Sequence, residues 1–293
     1  MSTITIQIER NHSLKKINLD IVINTPKAEV DMQYGLQTLR GTSDVVSLIA
    51  EAILLGEISG VGKRTHRSNE VRTMLKLPFK GSYGQRFCLE ISKPEYKQKL
   101  RRIGDDVFLE VLSYFILEAL YLDSGELSPE ASTLLDDIGQ VSENLFKRVK
   151  RPLIEMHKIS KYYKHNLKLR YKKRGNVKHT ELVCLTEDTS NKLTETSIGE
   201  DIFVIEAIII RYHSKTGNGR LHVRGGEQFF SFGFGGLLSA TRRLLRTKLS
   251  ENLHINNLLE PEQGSFIQLR VKTIALPNGD IVKYLIVGLL DVN

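Results

Sequence analysis

Apolar and polar positions alternate at the start of the chain. Ile4, Ile6 and Ile8 do so first, then Ile17, Leu19 and Ile21. A period of two marks half-buried strands, and the pair reads as a hairpin. After Thr42-Ser43 the period lengthens. Asp44 stands in a first helical turn, Val45, Leu48, Ile49, Ala52 and Ile53 follow at helical spacing, and Gly56 and Gly60 close the segment. Two further strands are expected over 71–79 and 85–91, around Gly81-Ser82-Tyr83-Gly84. Ser92 and Glu95 then form an S-x-x-E box with Pro94 in the first turn, a helix-start signal. Residues 105–122 are apolar around most of a helical circumference, which predicts a buried central helix. A helix opens at Ser128-Pro129-Glu130 and runs to about Lys150, where Pro152 interrupts it. Segments 166–170 and 177–185 read as a hairpin about Arg174-Gly175-Asn176. The polar stretch 186–198 reads as a linker, with a boundary near residue 195.

The remainder has its own order. Strands are expected over 202–213, 220–224 and 227–234, then a helix over 237–253, then strands over 266–276 and 281–290 around Pro277-Asn278-Gly279. The order β-β-β-α-β-β suits a small closed barrel of OB type or a related sandwich. The expected fold class is therefore α+β: N-terminal hairpins with helices over 1–195, and a C-terminal small barrel with one helix over 196–293. No internal repeat is present. The layout of the last 90 or so residues resembles a cold-shock or OB barrel. It departs from the cold-shock pattern because Thr216-Gly217-Asn218-Gly219 has no aromatic between its glycines, and because the helix is longer. With Phe79-Lys80-Gly81-Ser82 and Thr216-Gly217-Asn218-Gly219-Arg220, the whole chain resembles uncharacterised bacterial two-domain proteins with an α/β region and a five-stranded barrel, some of them near phage-defence genes. That resemblance implies no catalytic residue.

Composition narrows the class. Of 293 residues, 41% are hydrophobic and 26% charged, which excludes collagen-like and disordered chains. Cys88 and Cys184 are far apart and form no C-x-x-C, so neither a disulfide framework nor a zinc knuckle is expected. Free thiols and an opening without an apolar core lead to the expectation of a cytoplasmic protein with no signal peptide and no membrane partner.

Charge is the uneven feature. The formal net is +8, yet residues 145–179 hold 13 Lys/Arg and one acid, a net of +12 that leaves −4 for the rest. Clustered cations point to an anionic partner. Lys161, Lys164, Lys168, Arg170, Lys172, Lys173 and Arg174 are interleaved with Tyr162, Tyr163 and Tyr171. Cations neutralise phosphates and tyrosine rings stack on bases. In an alternating strand Lys168, Arg170 and Lys172 share one face, with Leu167, Leu169 and Tyr171 on the other. The barrel adds Arg220, His222 and Arg224 on one strand, and Arg242 and Arg246 on one helix edge. Phe230, Phe232 and Phe234 alternate on the next strand and are expected in the barrel core.

Other chemistry is weakly represented. Gly56-Glu57-Ile58-Ser59-Gly60-Val61-Gly62-Lys63-Arg64-Thr65 has one residue too many for a phosphate loop, and Arg64 where a hydroxyl is needed. None of the eight histidines forms a metal-ligand pair at helical spacing; His213 and His222 face each other only if a hairpin places them so. Asp105-Asp106 and Asp136-Asp137 are adjacent pairs that point about 100° apart on a helix. The leading expectation is a non-enzymatic nucleic-acid-binding protein without metal or cofactor. The alternatives are an adaptor or complex subunit, in a defence assembly or elsewhere, whose cations meet an acidic protein, and a nuclease with scattered ligands.

Overall fold

Strand β1 (Lys15–Ile23) buries Ile17, Leu19, Ile21 and Ile23 on one side and turns Lys16 and Asn18 to solvent on the other. This alternation sets the first half of the molecule, seen here in a computed structural model that describes residues 14–57, 70–79, 82–173, 178–236, 239–257, 259 and 263–290. β1 is the centre of a five-stranded antiparallel sheet, order β2-β3-β1-β4-β5, with β2 (Val71–Phe79), β3 (Tyr83–Ile91), β4 (Leu167–Tyr171) and β5 (Thr180–Leu185). The expected hairpin partner of β1, residues 4–8, lies outside the described residues. β2 is the outer strand beside β3. Its register slips between Leu75 and Pro78, and Leu77 is 82% exposed there.

Among the described residues, helices cover one face only. α1 (Met32–Leu55) begins ten residues before the position expected from Thr42-Ser43, capped by Asp31, whose carboxylate accepts from the Tyr34 amide. The sequence pattern hides this first part because its buried side is small and polar: Thr38, Gly41 and Thr42. Thr42 donates to the Thr38 carbonyl, 2.9 Å. A Cβ at Gly41 would stand 2.7 Å from the Pro152 carbonyl oxygen, so only glycine allows the crossing there. α2 (Pro94–Ile103) starts after Lys93, and the Ser92–Glu95 box does not form. The Ser92 hydroxyl instead donates to the Glu70 carbonyl, and Glu95 pairs with Lys93. α3 (Asp105–Ala119) is the expected central helix. The single helix expected after Ser128 is two, α4 (Pro129–Asp137) and α5 (Gly139–Met156), and Pro152 lies inside the second. α6 (Lys158–Tyr163) follows. The stretch read as a linker contains α7 (Glu187–Thr194), closed by a Thr186–Thr189 capping box. Threonines at both box positions satisfy the first amides, an arrangement that reads in sequence as a polar loop. Leu193 of α7 packs in the first core.

The second core starts beyond it. β6 (Ser197–Ile198), β7 (Phe203–His213), β8 (Asn218–Val223), β9 (Phe229–Phe234), β10 (Ile267–Ala275) and β11 (Ile281–Leu289) form a sheet in which β7-β8-β9-β11-β10 closes back on β7. β9 and β11 run parallel, and α8 (Ser239–Asn256) lies between β9 and β10 in sequence. This is the five-stranded closed barrel with one helix that the order of elements predicts, in OB-type arrangement. Phe232 fills its interior with Leu221, Leu269 and Ile286, and Phe230 and Phe234 pack against them.

His157 joins α5 and α6 to α7 in the first core. It has no exposed surface. Its Nδ1 lies 2.7 Å from the Leu153 carbonyl and its Nε2 2.9 Å from the Thr189 hydroxyl. A carbonyl only accepts, so Nδ1 carries the proton and Nε2 accepts from Thr189. Burial pushes the imidazole down to about 4 from its ordinary 6.5. The unfolded chain therefore binds the extra proton first. Stability is full above pH 6.5 and falls as pH drops towards 4, by about 3 kcal/mol over that window. Melting temperatures measured from pH 7 to pH 4 will show this decline, and His157→Gln will flatten it while lowering stability at pH 7.

Candidate nucleic-acid interface

Because every helix of the first core packs on the Leu19 side of the sheet, the Asn18 side carries no covering element among the described residues. Its polar positions come from four adjacent strands: Arg72 and Lys76 on β2, Arg86 on β3, Lys16 on β1, and Lys168 and Arg170 on β4. These six cations share the face with three acids, Asp20, Glu90 and Glu181. Glu90 accepts from Lys16 at 2.6 Å and from Arg72 at 3.2 Å. The hydrogen bond from Lys16, followed by that from Arg72, holds the Glu90 carboxyl below the usual range against the effect of its burial. Lys168 pairs with Glu181 at 2.8 Å. Lys76 donates to the Asn18 side chain at 2.5 Å.

The middle of this face is an arginine and aromatic cluster. Asp20 stands opposite Arg86 on one side and Arg170 on the other. It accepts from His179 Nε2 at 2.9 Å and lies 3.9 Å from Arg170. The guanidinium carbons of Arg86 and Arg170 are 5.2 and 5.6 Å from the centre of the Phe79 ring. Phe79 pairs with Gly84 across the strands, and a Cβ at Gly84 would stand within 2.7 Å of three ring atoms. The missing side chain lets the ring lie down on β3. A groove of about 1150 Å³ takes in Lys76, Arg86, Asp20 and His179, shares its lining with Leu100, Asp105 and Asp106 of α2 and α3, and continues to Lys172 and Lys173 at the rim.

The residues expected from the cationic segment divide. Lys168 and Arg170 are on the open face, with Leu167 and Leu169 buried beneath. Tyr171 turns to the core side, its hydroxyl 3.5 Å from Asp106, and borders the groove without joining the cationic face. Lys172 is exposed beyond the strand end, and Lys173 pairs with Asp106. Lys161 and Lys164 stand apart at the end of α6, paired with Glu195 at 3.8 Å and Glu187 at 3.2 Å. Arg174 lies outside the described residues. Lys16, Arg72, Lys76, Phe79 and Arg86 join the site without having stood out in the sequence.

The barrel contribution is different from the one expected. On an OB barrel, oligonucleotides lie across the outer face of the second and third strands, here β8 and β9. That face is occupied by the end of α3. Arg220 is 6% exposed and donates to the Tyr121 carbonyl at 3.5 Å. Lys283 lies over the Tyr121 ring and donates to the Asn218 side chain at 3.0 Å. Glu118, 4% exposed, faces this group, with Arg211 at 3.8 Å. Arg211 also binds Asp123 at 2.7 Å and the Gly125 carbonyl at 2.6 Å. Burial pushes Glu118 up and Lys283 and Arg220 down, and their opposite charges pull each back towards the ionised form. Arg220 is thus spent inside the molecule. Arg224 is exposed but held by Glu206 at 2.5 Å and stacked on Phe266. Arg242 and Arg246 do not make an exposed edge. Both are half-buried: Arg242 lies over Phe234 and 3.6 Å from Glu143, and Arg246 packs near Tyr212, whose hydroxyl burial pushes up to about 12. Amphipathic arginines on the helix side that meets the barrel bury their stems against its aromatics. His213 pairs with Asn218 and His222 with Ile208, so the two histidines do not face each other.

Comparison of the chain with family models, curated proteins and solved structures finds no match. Among the described residues no helix is long and apolar enough to cross a membrane, and no three His, Cys, Asp or Glu side chains gather as metal ligands.

The contact between Glu118 and the barrel is open to test. Glu118→Gln leaves Arg211, Arg220 and Lys283 gathered without their buried carboxylate. Removing one partner of such a group costs about 3 kcal/mol. Thermal melts at pH 7 will show that loss, and adding Lys283→Met will recover part of it.

Proposed function

We propose that this protein binds nucleic acid through the open face of its five-stranded sheet, by electrostatic contacts to phosphates. The observation that carries the reading is the set of six cations projecting from four neighbouring strands on a face with no covering helix among the described residues, with an aromatic ring at its centre. The Lys168–Glu181 pair is solvated on both sides and contributes little to stability, so Lys168 is free to exchange a carboxylate for a phosphate. Lys16 and Arg72 stay with the buried Glu90 and are themselves about half exposed, so a phosphate would add to that pairing. The cationic segment of the sequence supplies one strand of this face, and β1, β2 and β3 supply the rest. The barrel, gripping α3 with its own basic face, acts here as support.

A second reading, an adaptor that meets an acidic protein, is favoured by a different surface. Tyr34 stacks on Tyr162 at 4.5 Å beside Tyr163 and Lys158, next to exposed Met32 and Leu36. A mixed apolar and cationic patch suits a protein more than a phosphate backbone.

Labelled oligonucleotides titrated at 50 and 200 mM salt separate the two. With about five phosphate contacts to a single strand, affinity falls about 100-fold between those concentrations. Replacing Lys76, Arg86 and Lys168 together by Ala will weaken binding at both and reduce the logarithmic salt slope by about 2. Absent binding at low salt, or binding insensitive to these substitutions, would overturn the proposal. Equal competition by poly-glutamate would favour the protein partner.

A further inference from the structure

Resting on that reading, we infer that the ligand is a single strand, and that one of its bases docks at the cluster formed by Phe79, Arg86 and Arg170. Width decides against a duplex. Five strands at about 4.8 Å spacing make a surface about 19 Å across, whereas the major groove of B-form DNA, about 12 Å wide, admits only a helix or a two-stranded ribbon. The deep, narrow major groove of A-form RNA excludes side chains altogether. A duplex would therefore touch this face only with its phosphate ridges. A single strand can lie across it with its bases turned down.

The cluster provides what an unstacked base requires. Phe79 is held flat by the absence of a side chain at Gly84. Two guanidiniums stand by its ring, and guanidinium planes stack on bases as aromatic rings do. Asp20 lies 3.9 Å from the Arg170 Nε and stands across the strands from Arg86, and both guanidiniums stand at the ring. Cations lie on either side, Lys76 on β2 and Lys168 on β4, placed to hold the flanking phosphates. The groove beside the cluster takes in Arg86 and Asp20 and continues to Lys172.

The chain has no tryptophan, so Phe79→Trp creates a single reporter at the site. Three probes are titrated against it: an oligo-dU or oligo-U strand, an abasic strand of the same length, and a duplex of the same sequence. A docked base will quench the tryptophan emission with the base-bearing strands, and neither the abasic strand nor the duplex will do so. Wild-type protein will bind base-bearing strands about tenfold tighter than the abasic strand. Phe79→Leu will bring the ratio of base-bearing to abasic affinity towards one; Phe79→Trp will keep the preference. Gly84→Val, which displaces the ring, will act like Phe79→Leu. Comparing oligo-dU with oligo-U, which differ only in the 2′-hydroxyl, identifies which sugar is favoured. Equal affinity for abasic and base-bearing strands, or duplex binding as tight as single-strand binding, would overturn this inference while the phosphate reading stands. Failure of every probe to bind would overturn both.

Discussion

A single layer of helices can hide only one side of an antiparallel sheet, and the first half of this molecule follows from that limit. The buried side of β1 is a run of isoleucine and leucine with essentially no exposed surface, and α1, α3 and α5 pack over it and its neighbours. Every alternate residue is then committed to the opposite side. Period-two geometry leaves no freedom here: a one-residue slip would exchange the two sets entirely. The cations of β2, β3, β1 and β4 are gathered because their apolar neighbours are buried, so the same burial energy that fixes the fold also assembles the charged surface.

The barrel meets a similar limit with a different outcome. Its outer face carries Arg220 and Lys283, which need counter-charges if they are not to face solvent. The chain supplies them from α3, whose C-terminal end adds the negative pole of the helix to Glu118 and Asp123. The interface is polar and buried, with Tyr114 donating or accepting at the Thr216 hydroxyl nearby. Buried ionic groups of this kind confer orientation more than stability, because desolvation offsets much of the attraction. The result is a barrel whose most chemically active side faces its own chain.

The barrel is legible in the sequence down to the order of its elements, because most of its strands are β-branched or aromatic runs with glycine at the turns between them. The central helix was equally clear. The first turns of α1 and the whole of α7 were not, since Thr38, Thr42, Thr186 and Thr189 satisfy buried or terminal backbone groups with hydroxyls and so look like loop residues. The break between α4 and α5 was missed for another reason: Pro152 draws attention, yet the chain turns at Ile138. For the site, Lys168 and Arg170 lie in the one densely cationic window of the chain, whereas Lys16, Arg72, Lys76 and Arg86 come from a stretch of slightly negative net charge. A sheet face collects every second residue from strands far apart in sequence, so its charge does not show in any contiguous window. Arg220 shows the reverse, a cation on an alternating strand whose counter-charge comes from a helix about a hundred residues earlier.

The slip in β2 between Leu75 and Pro78 bears on solubility. An outer strand offers unpaired amides and carbonyls to any other strand that meets it, and exposed leucines make the encounter more favourable. Proline has no amide hydrogen, and a register shift bends the strand away from a straight partner. Together they act as a gatekeeper at the sheet margin, against the fibrillar stacking that an exposed leucine pair beside a nine-residue strand would otherwise promote.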